Sequence, residues 1–185
     1  MEGLAGVDDG VKTEAMITRP SEARPIVMTL EGPEATAALA ERLGGVLRSG
    51  DTLLLQGDIG AGKTHFARAL IQSLQARHGA VEDVPSPTFT IVQTYHAGPL
   101  EIWHADLYRL ADPSELAELG LEGALSQALT LVEWPDRLGT MTPSRALWMS
   151  FRIPPDRPEA RIVEITPRGA GWERVLGALG AEAGS

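Results

Sequence analysis

The sequence contains no cysteine among its 185 residues. Without cysteine, a disulfide framework and a thiolate metal site are both excluded. Histidine is scarce as well, with four in the chain, and no two of them stand at the spacing typical of metal ligands. The protein therefore has neither a sulfur site nor a clustered-histidine motif.

Long hydrophobic runs are also missing. No apolar stretch approaches the roughly 20 residues that a membrane-spanning helix needs. The first 23 residues mix charged side chains with small ones and lack the apolar stretch of a signal peptide. We therefore expect a cytoplasmic protein without a membrane partner, in which residues 1–23 form a flexible N-terminal extension.

The chain has fewer basic than acidic residues. The chain has 16 Lys and Arg against 25 Asp and Glu, which gives a formal net charge of −9 and a pI near 4.9. Such a chain lacks the broad basic surface that binding to a phosphate backbone requires. If the protein serves nucleic-acid metabolism, we expect it to act through a protein partner.

One segment carries a motif with a known chemistry. The residues Gly57-Asp58-Ile59-Gly60-Ala61-Gly62-Lys63-Thr64 fit the phosphate-loop pattern G-x-x-x-x-G-K-[ST]. Glycines let the backbone turn so that N–H groups point at phosphate oxygens, and the helix N-terminus that follows favours an anion. In this pattern Lys63 reaches the β- and γ-phosphates and the Thr64 hydroxyl coordinates magnesium. The motif predicts binding of ATP or GTP with Mg²⁺.

The elements around this loop predict the fold class. Apolar runs and helical spacing predict strands at about 25–30, 51–57, 89–95, 100–107, 128–134, 145–153 and 160–166, and helices at about 33–48, 63–78, 113–120 and 172–179. The order of strand, phosphate loop, helix and further strands predicts a single α/β P-loop NTPase domain over residues 24–185. Its sheet should be mixed, mostly parallel and flanked by helices, because 89–95 and 100–107 resemble a hairpin.

A phosphate loop also needs an acidic partner, usually at the end of a nearby strand, to complete the magnesium shell. Glu133 ends one apolar run and Asp106 follows another. A carboxylate directly after a buried strand is costly unless it is paired or bound to a metal, so both are candidates. Spacing alone does not rank them.

Three nearby residues have more than one interpretation. His104 is either a base or, as is commoner for a lone histidine beside a tryptophan on a strand, structural. Arg109 either stabilises γ-phosphate charge, as an arginine finger does, or pairs with a helix acid such as Glu115. His65 is interpreted as a surface or groove residue.

Taken together, four segments resemble the TsaE family (formerly YjeE), small bacterial ATPases of tRNA threonylcarbamoyladenosine formation. The segments are Gly57–Thr64, Ser86–Thr90, His104–Leu110 and Val132–Trp134, in the order and spacing of that family. The resemblance covers about residues 28–166. Among its few departures, Ile59 stands where leucine is most common and His65 where a second threonine is usual.

The resemblance implies a function. ATP is the nucleotide, and its hydrolysis supports formation of the N6-threonylcarbamoyl group on adenosine 37 of tRNA. The family acts as partner subunit of a TsaD–TsaB complex and does not transfer the group itself, so tRNA is met only indirectly. Turnover by the isolated protein should be slow.

The resemblance also implies roles for individual residues. Thr64 and Glu133 match the magnesium ligands, and Asp106 matches the catalytic or γ-phosphate-side acid. The catalytic residues are thus expected to be Asp106, Lys63 and Glu133. Ser86 to Thr88 match a switch-type loop that senses the nucleotide, and Trp134 lies near the site. Besides the loop residues 58–64, Asp106 and Arg161 are predicted nucleotide contacts.

Two other functions remain as alternatives. A small-molecule P-loop kinase would need an acceptor site and an arginine-bearing lid. The stretch after Glu133 offers only Arg137 and Arg145 amid proline and glycine, which supports a lid poorly. A nucleotide-sensing module without catalysis is the third interpretation.

Overall fold

The computed structural model describes residues 24–110, 112 and 115–180. The predicted flexible extension, residues 1–23, lies outside the described residues. The elements, in chain order, are β1 Ile26–Glu31, α1 Gly32–Gly44, β2 Thr52–Gln56, α2 Lys63–Ala76, β3 Val92–Ala97, β4 Leu100–Asp106, α3 Glu115–Glu118, α4 Leu121–Gln127, β5 Leu129–Glu133, a 3-10 helix Pro135–Met141, β6 Ala146–Arg152, β7 Ala160–Arg168 and α5 Glu173–Ala178. No helix in this part of the chain is both long and apolar enough to cross a bilayer.

The seven strands form one sheet in the order β1-β7-β6-β2-β5-β4-β3. The middle strands β6, β2, β5 and β4 pair in parallel, whereas β7, β1 and β3 join the sheet through antiparallel pairs. The predicted α/β class with a mixed sheet is confirmed, and the parallel part is its middle. Ligands of such sheets bind outside the carboxyl ends of the parallel strands, which is where the phosphate loop begins.

The sheet has an apolar core on each face. Leu53 and Leu55 of β2 belong to the cluster that contains Phe66 and Leu70 of α2. Leu54, which points to the opposite face because side chains alternate along a strand, belongs to the cluster built with α3 and α4. Both faces of β2 are therefore covered, and this explains why its sequence is a continuous apolar run.

Several predicted boundaries differ from those of the structure. Helix α1 ends at Gly44 and not near residue 48. Strand β3 begins at Val92 and not at Phe89, because Ile91 has a left-handed backbone (φ 63°) and its N–H bonds to the Pro87 carbonyl in a turn. The positive φ of Ile91 is a local feature that an alternation pattern does not reveal.

The region between β4 and β5 contains more helix than the sequence predicted. Helix α3 covers Glu115–Glu118, within the predicted 113–120, of which residues 113 and 114 lie outside the described residues. Gly120 follows this stretch with a φ of 74°. The chain then forms α4, Leu121–Gln127, which was not predicted. Leu121 and Ala124 of α4 are buried, so tertiary packing stabilises a helix whose glycine content obscured it.

Candidate nucleotide-binding site

The loop between β2 and α2 has the backbone shape that the motif requires. Gly57, Gly60 and Gly62 have φ values of 143°, 77° and 105°, a region that favours glycine. At Gly57 an added Cβ would come within 2.4 Å of the Phe151 carbonyl oxygen, so a side chain there is excluded by the neighbouring strand β6. Residues 57–62 therefore form a backbone-lined turn at the amino end of α2, which suits a phosphate.

Lys63 lies inside this turn and is only 4% exposed. Its Nζ donates hydrogen bonds to the carbonyl oxygens of Gly57 (2.7 Å) and Asp58 (2.9 Å). The ammonium also lies 4.2 Å from the centroid of the Trp134 ring. Burial lowers the pKa of Lys63 below its usual value, although the carboxylates of Glu133 and Asp106 act in the opposite direction. The positive charge is thus held at the mouth of the loop.

Thr64 and Glu133 meet although 69 positions separate them in the chain. Thr64 Oγ1 donates to Glu133 Oε2 at 2.9 Å, and Glu133 Oε1 accepts a hydrogen bond from His104 Nε2, also at 2.9 Å. Strand β5 lies beside β2 and ends at Glu133, which brings the carboxylate to the first turn of α2. A hydroxyl and a carboxylate therefore converge beside Lys63.

This pair of oxygen donors fits Mg²⁺ bound together with a nucleotide. Mg²⁺ takes hard oxygen ligands and is usually held by one or two carboxylates, with phosphates and waters completing the shell. Within the described residues, no group of three or more His, Cys, Asp or Glu side chains is arranged to hold a metal by itself. Thr64 and Glu133 would supply the protein share of such a shell, and phosphate and water would complete it.

Asp106 lies next to Glu133, since the two residues are register partners at the ends of β4 and β5. Its Oδ2 accepts hydrogen bonds from Thr88 Oγ1 (2.7 Å) and Ser86 Oγ (3.4 Å), and Oδ1 accepts from the Tyr108 N–H at 3.0 Å. The residues predicted to act as a switch loop therefore contact the predicted catalytic acid directly. That contact occupies Asp106 in this structure.

Trp134 completes the wall of the site. Its backbone is left-handed (φ 59°), and its ring packs against the Tyr108 ring with centroids 5.0 Å apart. A cavity of about 200 Å³ adjoins the loop here, lined by Gln56, Gly57, Asp58, Trp134 and Asp136. Sequence reasoning missed Gln56 and Asp136. The available signal was their place in the sequence: Gln56 directly precedes the loop, and Asp136 lies two residues after Trp134.

The remaining candidates have definite places. Arg161 Nη2 donates to the Gly60 carbonyl at 3.3 Å, so the side chain lies beside the loop. His104 is fully buried, and its hydrogen bond to Glu133 places it behind the site. His65 is partly exposed and hydrogen-bonds with the Pro33 carbonyl, in keeping with a surface or groove residue.

Among the described residues, Arg109 forms no salt bridge with Glu115, and its role toward γ-phosphate charge stays a prediction. Its guanidinium lies 4.5 Å from the centroid of the Phe89 ring, in a cation–π contact. Phe89 is otherwise well exposed, and it follows Ser86 to Thr88 in the chain. In this structure Arg109 therefore packs on the loop that contacts Asp106.

Comparisons with known proteins agree on one family. The model of "Threonylcarbamoyl adenosine biosynthesis protein TsaE" matches residues 30–162. The "tRNA threonylcarbamoyladenosine biosynthesis protein TsaE" of Rickettsia bellii (strain RML369-C) is 37% identical over 137 residues, which are 74% of this chain and 92% of the relative. The protein of the same name from Bacillus subtilis (strain 168) is 36% identical over 142 residues, which are 76% of this chain and 85% of the relative.

A solved structure extends the agreement to the fold. The crystal structure of Bacillus subtilis YdiB superposes with a TM-score of 0.68 and 27% sequence identity. The superposition covers 85% of this chain and 95% of that one. The similarity therefore includes most of the described sheet and helices, and not the phosphate loop alone.

Proposed function

This chain belongs to the TsaE family of tRNA threonylcarbamoyladenosine biosynthesis proteins, and from that premise we propose that it is a P-loop ATPase that binds Mg-ATP. We propose further that it works as partner subunit of a TsaD–TsaB complex, supporting formation of the threonylcarbamoyl group on tRNA without contacting tRNA directly. The observation that carries the nucleotide proposal is the convergence of Thr64 Oγ1 and Glu133 Oε2 beside Lys63 at the mouth of the loop.

The loop residues bind the phosphates in this proposal. The N–H groups of residues 58–64 face the phosphate oxygens, with the amino end of α2 adding its dipole. Lys63 exchanges its hydrogen bonds to the Gly57 and Asp58 carbonyls for the β- and γ-phosphates. Arg161, beside Gly60, adds positive charge at the outer side of the loop.

Thr64 and Glu133 would hold the metal. A bound Mg²⁺ would supply positive charge that offsets the negative charge developing on the phosphates during hydrolysis. The part of the protein is to fix the positions of the two oxygen ligands. Both residues belong to rigid elements, the first turn of α2 and the last residue of β5.

Asp106 orients the attacking water. The water oxygen forms a bond to the γ-phosphorus as the bond from that phosphorus to the β–γ bridging oxygen breaks. The bridging oxygen leaves on ADP, and both protons of the water end on the phosphate product. A carboxylate that accepts a hydrogen bond from the water holds it in line for this attack. Asp106 is the register partner of Glu133, and its charge acts on the pKa of Lys63, so its carboxylate lies near the ammonium proposed to reach the γ-phosphate.

The contact of Asp106 with Ser86 and Thr88 supports slow turnover by the isolated protein. Both hydroxyls donate to Oδ2 and the Tyr108 N–H donates to Oδ1, so both oxygens of the carboxylate are engaged. Hydrolysis requires this loop to release the carboxylate. Docking on the partner complex would supply the free energy for that rearrangement.

Steady-state ATP hydrolysis, measured with and without TsaD and TsaB, tests the proposal. We expect a low rate for the isolated protein, stimulation by the partner pair, and loss of the stimulated rate in Asp106→Asn. A fast rate that ignores the partners would contradict the partner-subunit role. Binding of ATP without hydrolysis under any condition would indicate a nucleotide-sensing module, and ATP-dependent phosphorylation of a metabolite would indicate a kinase.

A further inference from the structure

His104 is a fully buried histidine directly behind the proposed metal ligand. It lies on β4, two residues before Asp106, and none of its side chain is exposed. Its Nε2 donates to Glu133 Oε1 at 2.9 Å, while its Nδ1 has no hydrogen-bond partner in the part of the chain that the structure describes. The polar contact of this side chain is therefore made with Glu133.

Each carboxylate oxygen of Glu133 accepts a hydrogen bond from a different residue. Oε1 accepts from His104 and Oε2 accepts from Thr64. The terminal torsion of a glutamate is broad, so the plane of its carboxylate is poorly defined unless both oxygens are held. Because the imidazole is rigid and anchored in the neighbouring strand, its N–H fixes Oε1 in one place. Oε2 is thereby presented toward Thr64 Oγ1.

Burial excludes the other role considered for this residue. A general base must reach the water or the phosphate within hydrogen-bond distance. His104 has no accessible surface, and its Nε2 is already committed to Glu133. It cannot contact substrate without leaving the core, so its effect must pass through Glu133.

We propose that His104 is a positioning residue: it aligns the Glu133 carboxylate with the Thr64 hydroxyl and thereby sets the affinity of the site for magnesium-bound nucleotide. This inference rests on the proposed function, because it explains which residue determines the magnesium affinity of that same nucleotide site. Residues behind a metal ligand commonly change metal affinity by about 10- to 100-fold when they are replaced.

The test compares two amides of different length. In His104→Gln the amide nitrogen extends to about the position of Nε2, whereas in His104→Asn it matches Nδ1 and is too short to reach Glu133. The full chain is titrated with a fluorescent ATP analogue, once with Mg²⁺ and once with EDTA. The dissociation constant in EDTA divided by that in Mg²⁺ is the ratio that measures how much magnesium strengthens binding.

We expect His104→Asn to reduce that ratio about 10- to 100-fold and His104→Gln to retain most of it. Affinity in EDTA should be the same for both variants and the wild type, because the loop and Lys63 hold the phosphates without the metal. A merely structural histidine would affect both conditions equally.

Thr130→Val is the matched control. Thr130 is buried on β5, the strand of Glu133, and its hydroxyl donates to the Ala124 carbonyl at 3.1 Å, away from the loop. We expect this variant to lose thermal stability and to keep the wild-type ratio. If His104→Asn behaves like Thr130→Val, with lower stability and an unchanged ratio, the inference is overturned while the proposed function stands. A wild-type protein whose nucleotide affinity does not depend on Mg²⁺ would overturn both.

Discussion

Two carboxylates at opposite ends of the parallel strands are equally buried and differently partnered. Asp51 precedes β2 at the amino end of the strands and is 1% exposed, whereas Glu133 ends β5 at their carboxyl end and is 2% exposed. Asp51 forms salt bridges with Arg145 (3.0 Å) and Arg174. It also accepts the Arg48 N–H at 2.9 Å. Its charge is balanced within the protein.

Glu133 has polar partners but no guanidinium. Its hydrogen bonds come from the Thr64 hydroxyl and the His104 imidazole, and no Lys or Arg of the described residues forms a salt bridge with it or with Asp106. Burying a carboxylate without a paired cation is costly. The amino end therefore contributes stability, while the carboxyl end retains negative charge that a bound cation would balance.

The largest expected effect concerns the amino end. Asp51→Ala leaves two partly buried guanidiniums without their carboxylate, so the free energy of unfolding should fall by about 3–5 kcal/mol. Urea unfolding measures this loss. Partner-stimulated ATP hydrolysis, assayed where the variant is folded, should stay at the wild-type level. A comparable loss of hydrolysis would show that the two ends are coupled, which would contradict separate roles for them.

The next effect concerns the carboxyl end. Lys63→Ala removes the ammonium that we propose reaches the phosphates, so partner-stimulated hydrolysis should fall by about 10²- to 10³-fold, as when one stabilising donor is removed from other enzymes. Burial lowers the pKa of this ammonium, which means that burying its charge is unfavourable. Its removal should therefore not lower the free energy of unfolding as Asp51→Ala does. An unfolding curve shifted as far as that of Asp51→Ala would contradict a functional carboxyl end.

The smallest effect is a pH dependence that sharpens the same contrast. Burial lowers the pKa of Lys63 below 10.5, so between its folded pKa and 10.5 the unfolded chain binds more protons. Stability contributed by this group therefore rises with pH through that window, and below it the penalty of the buried charge is constant. Urea midpoints of the wild type should rise relative to those of Lys63→Met as the pH approaches 10.5. Parallel curves would show that burial of the ammonium costs nothing.

Elements with one dominant pattern were predicted well. The apolar runs of β2 and β5 and the helix that follows the phosphate loop are found where sequence placed them, to within one or two residues at most ends. The predicted start of β3 was wrong, and α4 was not predicted. Their causes are the left-handed Ile91 and a helix that follows Gly120 directly, which depend on packing and not on periodicity.

The site shows the same division. The loop Gly57–Thr64 was recognised from adjacent residues, since its shape depends on glycines at fixed spacing. Spacing alone could not rank Asp106 and Glu133, because both follow apolar runs. The register of β4 with β5 and of β5 with β2 separates them, placing Glu133 on Thr64 and Asp106 on the Ser86–Thr88 loop.

A short contiguous motif was sufficient to predict a phosphate site, because the backbone turns and helix terminus that bind a phosphate are formed by neighbouring residues. The orientation of Glu133 was not accessible in this way. It depends on Thr64 in α2 and His104 in β4, each on a different element from Glu133. Only the assembled parallel sheet brings these three side chains together, since strand order and register are properties of the whole fold and not of any local pattern.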